Sequence, residues 1–212
     1  MYAMNLKLKG RRCIVVGGGQ VAFRKVKPLL LEEAVVEVVA PRLHAGLQQL
    51  AADGRLCWRA ATYRPGCLEG AFLVFCATDD PAVNRTAAAE ARQRGALVNV
   101  AAPAQDSDFQ VPACIRRGDF QLAVSTGGSS PAFARVLRQR LEARFSDAYG
   151  EWLQRLGVLR AELQRRPGTG RERERFWRQV LDDELLALVE QGRLEEAEAK
   201  VRNAINGFGT QS

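Results

Sequence analysis

The chain has 212 residues, 47% hydrophobic and 26% charged, with a formal net charge of +7, enough for one large or two small domains with real cores. No apolar run approaches the roughly 20 residues of a membrane helix, and the stretch from Met1 to Lys7 lacks a signal-peptide pattern, so a cytoplasmic protein without a membrane partner is expected. Five scattered cysteines without a C-x-x-C pair and a single histidine, His44, argue against disulfides and a metal cage; no metal site is expected.

In chain order, Cys13–Val16 reads as a buried strand running through Gly17-Gly18-Gly19 into a helix over Val21–Glu33. Val35–Ala40 is a second strand stopped by Pro41, and Leu43–Ala52 a helix, with His44 in a surface-loop or helix-start role. Leu56–Ala61 reads as a short strand and Ala71–Ala77 as a central one, since it is uninterruptedly apolar. A helix over Ala82–Arg94 follows Thr78-Asp79-Asp80-Pro81, then a buried strand over Leu97–Ala101. This alternation predicts a parallel sheet covered on both sides. It places Gly17–Gln20, Pro41–Arg42, Thr78–Asp79 and Asn99–Ala102 at the carboxyl ends of strands, the ligand-binding edge of open α/β sheets.

Beyond Ala102, Phe109–Ile115 and Phe120–Ser125 read as strands joined by a turn at Arg116-Arg117-Gly118-Asp119. Ser125-Thr126-Gly127-Gly128-Ser129-Ser130-Pro131 then leads into an amphipathic helix ending at Phe145. Ser130 suits an N-cap and Pro131 the first helical position. Capping alone accounts for Ser130; a second anion cradle, independent of the first glycine turn, is the functional alternative. The last 65 or so residues read as helical, with apolar stripes through Trp152–Leu163, Phe176–Val189 and Leu194–Ile205, broken at Pro167–Gly170. Residues 116–178 hold fourteen Arg and no Lys against seven acids, whereas 179–212 are net acidic. Solvated helix faces explain most of these arginines, and an anionic partner would use the rest. No stacking platform or zinc signature accompanies them, so nucleic acid is not expected as a partner.

Gly17, Gly19 and Ala22 occupy the small-residue positions of a Rossmann dinucleotide fingerprint. Four segments extend that match: Leu8–Arg11 with Val15–Lys25; Ala77–Asp80 with Val83-Asn84; Val98–Val100 through Asp108-Phe109 to Pro112; and Ala123–Gly128 with Ser130-Pro131 and Ala134-Arg135. Arg175-Phe176-Trp177 is a fifth. In these the chain resembles the precorrin-2 dehydrogenase/sirohydrochlorin ferrochelatase family, the N-terminal part of siroheme synthase.

The resemblance implies an α/β Rossmann-type NAD-binding domain (1–112), a small α+β dimerisation domain whose elements exchange across a homodimer (113–147), and a helical domain (148–212). It implies NAD-dependent oxidation of precorrin-2 to sirohydrochlorin. Cofactor contacts would fall on Gly17, Gly19, Gln20, Val21, Pro41 and Arg42, with Thr78 and Asp79 nearby. The polycarboxylate substrate would meet Asn99, Ser125, Thr126, Gly127 and Ser130. Relatives carry an aspartate after Asn-Val-x, where this chain has Ala102. Asp106 and Asp108 are the replacement candidates for the base, and Asp108 has a structural alternative. Chelation of a metal is expected to be weak or absent. The end of the second strand, Val39-Ala40-Pro41-Arg42, has no acid for a ribose 2′-OH, so Arg42 would admit NADP on physical grounds while the resemblance favours NAD. A non-catalytic sensor or escort that binds NAD and tetrapyrrole is the competing reading.

Overall fold

A computed structural model describes residues 1–102 and 106–209 and divides into two compact units, Met1–Val111 and Pro112–Ser212. The last three residues of the predicted helical segment lie outside the described ones.

The first unit is a five-stranded, wholly parallel sheet in the order β3-β2-β1-β4-β5. Its strands are β1 (Arg12–Val16), β2 (Val35–Val39), β3 (Cys57–Arg59), β4 (Leu73–Cys76) and β5 (Leu97–Val100). The helices α1 (Gln20–Leu31), α2 (Ala45–Ala52) and α3 (Pro81–Gln93) alternate with them. Side chains alternate across each strand, so one chain stretch feeds two cores. Cys13 and Val15 join Ala22, Val26 and Leu47 on one face, while Ile14 and Val16 join Ala87, Ala88 and Ala91 on the other. Both faces are covered, which is why the strands read as continuous apolar runs. The chain winds outward from β1 through β2 to β3, then returns to β4 on the other side of β1. That reversal opens a crevice at the carboxyl ends of β1 and β4.

The predicted strands exist, but several are shorter. Leu56–Ala61 reduces to the three residues of β3, an exposed edge, and Ala71–Ala77 to the four of β4. The predicted strand Phe109–Ile115 is displaced: the strand is β6 (Ala113–Arg117). Phe109 instead packs edge-on against Phe75, 5.5 Å between centroids, and Pro112 has no N–H to join a ladder.

In the second unit, β6 pairs antiparallel with β7 (Phe120–Val124), and Arg116 and Arg117 lie within the ladder rather than in the turn. The turn is Gly118-Asp119, with Gly118 at φ +56°. Helix α4 (Pro131–Arg144) follows, and then α5 (Ala148–Gln164), α6 (Gly170–Val180), α7 (Asp183–Glu190) and α8 (Leu194–Gly207). The predicted stripe Phe176–Val189 spans two helices. Leu181 closes the first and Asp182 caps the second, its carboxylate accepting from Leu185 N–H at 2.8 Å. Trp152, Leu159, Leu163, Phe176, Leu185, Val201 and Ile205 form the core between α5 and α8.

Candidate dinucleotide site

Three consecutive glycines end β1, and each meets a different constraint. Gly17 sits at φ +117°, and a Cβ there would lie 2.3 Å from the Ala77 carbonyl oxygen at the end of β4. A Cβ on Gly18 would lie 2.1 Å from the Arg42 carbonyl oxygen and 2.9 Å from Ala40 Cβ. A Cβ on Gly19 would meet no protein atom within 4 Å. The first two glycines are therefore required by the fold, and the third opens onto free space.

That space is a cavity of about 740 Å³ at the carboxyl ends of the strands. Gly17, Gly19, Gln20, Val21, Pro41, Arg42, Thr78 and Asp79, every position predicted for the cofactor, line it together. Helix α1 begins there with Gly19 as N-cap, no side-chain cap and no acid in its first turn. Its first-turn N–H groups are thus left for an anion, reinforced by the positive end of the helix dipole. The donor set and the open glycine fit a pyrophosphate.

The rim is fixed from behind. His44 starts α2: Nδ1 accepts from Gly46 N–H at 3.1 Å, its ring stacks on Phe23 at 4.9 Å, and its backbone N–H donates to the Gly18 carbonyl at 2.7 Å. Of the two roles predicted for this residue, the helix start is the one found. At the end of β4, the buried Asn84 side chain clamps Thr78. Asn84 Oδ1 accepts from Thr78 N–H (3.1 Å) and from its hydroxyl (2.8 Å), while Nδ2 donates to the Thr78 carbonyl (3.0 Å). The Thr78 hydroxyl is thereby occupied in holding the loop. Asp80 caps α3 through Oδ1, which accepts from Ala82 and Val83 N–H. Tyr63, also on the rim, donates to Glu90 Oε2 at 2.5 Å. Burial and the Glu90 carboxylate push the Tyr63 pKa up. Sequence reading gave no role to Asn84 or to the Tyr63–Glu90 pair. A polar residue on the buried side of an alanine-rich helix was the available signal for Asn84.

Three family models match in chain order: "Putative NAD(P)-binding" over residues 4–113, "Sirohaem biosynthesis protein central" over 117–144, and "Sirohaem synthase dimerisation region" over 148–205. The chain belongs to the siroheme synthase family. It is 40% identical over 208 residues to the siroheme synthase of Chromobacterium violaceum and 38% over 204 residues to that of Methylobacillus flagellatus. These alignments cover 98% and 96% of this chain and 44% of each relative, so the chain spans less than half their length. The solved structure of SirC, a precorrin-2 dehydrogenase, matches with a TM-score of 0.79 at 29% identity, covering 98% of this chain and 100% of that one. The first unit is thus an NAD(P)-binding domain. Among the described residues, no helix is long and apolar enough to cross a membrane.

The other residues predicted from the siroheme synthase resemblance fall into separate local settings. Asn99, on β5, donates its amide to the Phe109 carbonyl at 2.9 Å, which ties down the segment after the strand. Asp108 does similar work: Oδ1 pairs with Arg92 Nε at 2.9 Å and Oδ2 accepts from Val98 N–H at 3.0 Å. Asp106 is exposed, and its carbonyl accepts from Arg92. Neither aspartate is among the residues lining the cavity, and Ala102 is exposed just past β5. In the second unit, the loop before α4 is folded on its own hydroxyls. Ser125 Oγ accepts from Gly127 N–H (3.2 Å), Thr126 Oγ1 from Ser130 N–H (3.1 Å), and Ser130 Oγ from Phe133 N–H (3.2 Å). Each hydroxyl proton remains available to an acceptor.

Proposed function

We propose that this chain oxidises precorrin-2 to sirohydrochlorin, with NAD taking the hydride, and that it works as a homodimer. The observation that carries the reading is the open space at Gly19 above an uncapped helix start, in a chain that aligns end to end with a precorrin-2 dehydrogenase. Gly17, Gly19 and the N–H groups of Gln20 and Val21 hold the pyrophosphate, Pro41 and Arg42 flank the adenosine ribose, and Thr78 and Asp79 border the reacting end. When bound, the nicotinamide supplies a two-electron hydride acceptor, and the protein's part is to position the two rings. Ser125, Thr126, Gly127 and Ser130 offer hydroxyl and backbone donors to substrate carboxylates, and nearby arginines add charge.

Three finer points belong to the same reading. NAD is preferred over NADP, as the family resemblance implies; Arg42 makes the margin modest, because a guanidinium at the end of β2 suits a 2′-phosphate. Ferrochelation is weak or absent, because Ala102 replaces a carboxylate and Asp108 is occupied by Arg92 and Val98. Dimerisation involves the second unit, to which the dimerisation-region model aligns. Mixing protein, NAD and precorrin-2 and following NADH formation, with and without Fe(II) or Co(II), tests the dehydrogenase and the chelation, and the same assay with NADP in place of NAD tests the preference. Absence of NADH with wild-type protein rejects the dehydrogenase. Ala102 specifically favours one alternative, an escort protein, which would bind NAD and sirohydrochlorin without turnover.

A further inference from the structure

We propose that Asp79 is the base that accepts the proton released when the substrate is oxidised, an inference that rests on the dehydrogenase reading above. Oxidation removes a hydride from one saturated carbon and a proton from the adjoining carbon or ring nitrogen. The electron pair of the second bond becomes the new double bond. The hydride goes to NAD, giving NADH, and the proton needs a general base within reach.

The titratable groups on the cavity rim are Arg42, His44, Tyr63, Asp79 and Asp80. Arg42 stays charged and cannot accept a proton. His44 Nδ1 is occupied by Gly46 N–H and its ring is fixed on Phe23. Tyr63 donates to Glu90, and its raised pKa keeps it protonated. Asp80 caps α3. Asp79 is exposed, and among the described residues it has no hydrogen bond or ion pair, so both its oxygens are open.

Its placement is fixed even though its carboxylate is free. The residues on either side, Thr78 and Asp80, are locked: Thr78 by the three Asn84 hydrogen bonds and Asp80 by the helix cap. The Thr78 hydroxyl oxygen also accepts from Asp80 N–H at 3.3 Å, which closes a tight turn around Asp79. This is the pre-organisation that a base requires. Strand pairing adds a second argument. Cys76 of β4 is in register with Val100 of β5, and Ala101 N–H donates to the Cys76 carbonyl at 2.9 Å. The ladder ends there, so Thr78-Asp79 and Ala101-Ala102 leave the carboxyl ends of two neighbouring strands. Asp79 thus supplies a carboxylate just past the end of β4, while Ala102, just past the end of the neighbouring β5, carries only a methyl group.

The test compares full-length wild type, Asp79→Asn and Asp79→Ala in NADH equilibrium binding and in precorrin-2 turnover. Expected are NADH affinities within about threefold of wild type, and kcat reduced about 100-fold or more, the usual contribution of a general base. Added acetate should restore part of the Asp79→Ala rate while leaving Asp79→Asn unchanged. Turnover of Asp79→Asn within threefold of wild type overturns the assignment. So does a loss of NADH affinity matching the loss of kcat, which would make Asp79 a cofactor contact instead. Silent wild-type protein overturns the dehydrogenase reading and the base with it, whereas active wild type with active Asp79→Asn overturns the base alone.

Discussion

Substituting alanine at Gly18 and at Gly19 separates the glycine that the fold needs from the glycine that a ligand needs. At Gly18 the new methyl carbon would lie 2.1 Å from the Arg42 carbonyl oxygen and 2.9 Å from Ala40 Cβ. Backbone oxygen cannot swing aside like a side chain, so the end of β2 or the glycine turn must move. Overpacking of this kind costs about 1–3 kcal/mol, and at about 2–4 °C per kcal/mol for a chain of this size Tm falls by about 2–12 °C. At Gly19 the backbone is extended, φ −84° and ψ −169°, and the methyl meets no protein atom within 4 Å. Stability there changes by less than about 1 kcal/mol, because the narrower unfolded ensemble of alanine is offset by its poorer fit at a helix N-cap. The same methyl projects into the space assigned to the pyrophosphate. NADH affinity should drop at least about tenfold, or about 1.4 kcal/mol. Thermal unfolding and an NADH fluorescence titration on both variants read the two quantities separately. Gly19→Ala protein that binds NADH within threefold of wild type would refute the placement of the phosphates at this turn.

Other outcomes follow from the same contacts. Asp108→Ala leaves Val98 N–H and Arg92 without their acceptor, so it should lower stability by about 1–3 kcal/mol and leave kcat nearly unchanged; a kcat loss with full stability would restore Asp108 as a base. For Glu90, burial pushes the carboxyl up, but hydrogen bonds from Tyr63, Gly66 N–H and Leu68 N–H and the Arg94 charge outweigh it, for a net lowering. A depressed folded pKa stabilises above the unfolded value of about 4.3, and that contribution disappears as pH falls through the folded value. The Tm difference between wild type and Tyr63→Phe should therefore be widest near neutrality and narrow below pH about 4. Burial raises the thiols of Cys13 and Cys76 to about 11 and about 12, whereas Cys57 is exposed. Brief maleimide treatment followed by mass spectrometry should find Cys57 modified and both buried thiols intact.

What sequence reading could reach depended on whether a residue's partner was near in the chain. The run into Gly17–Gly19 was legible because the strand, the turn and the uncapped helix are contiguous, and their small-residue spacing carries the geometry. The cavity edges at Pro41–Arg42 and Thr78–Asp79 were legible too, since a parallel sheet sends every strand end to the same side. Strand limits were less so. Apolar character continues into Ala77 and Ala101, where the ladder has already stopped, and the displaced β6 turned on Phe109 finding Phe75 across the sheet.

The polar side chains show the same divide more sharply. Asp80 and Ser130 cap helices that begin at the next residue, and each could be read as a cap from spacing alone. Gly18, between two fingerprint positions, carries no local signal of its role, because its constraint is a carbonyl 24 residues away at Arg42. Asp108 kept two readings until Arg92 and Val98 took up its two oxygens. Asp79 and Asp80 are adjacent carboxylates, yet Asp80 is consumed by the helix start and Asp79 is left free at the cavity. Asp80 takes the cap because it directly precedes Pro81, the first residue of α3, while the Asn84 clamp on Thr78 holds the turn that leaves Asp79 at the cavity. Removing the clamp with Asn84→Ala should release Thr78 and loosen the turn that places Asp79. Turnover would then fall in step with Asp79→Asn while NADH affinity changed little, and an unaltered kcat in that variant would show that the free carboxylate owes its position to something else.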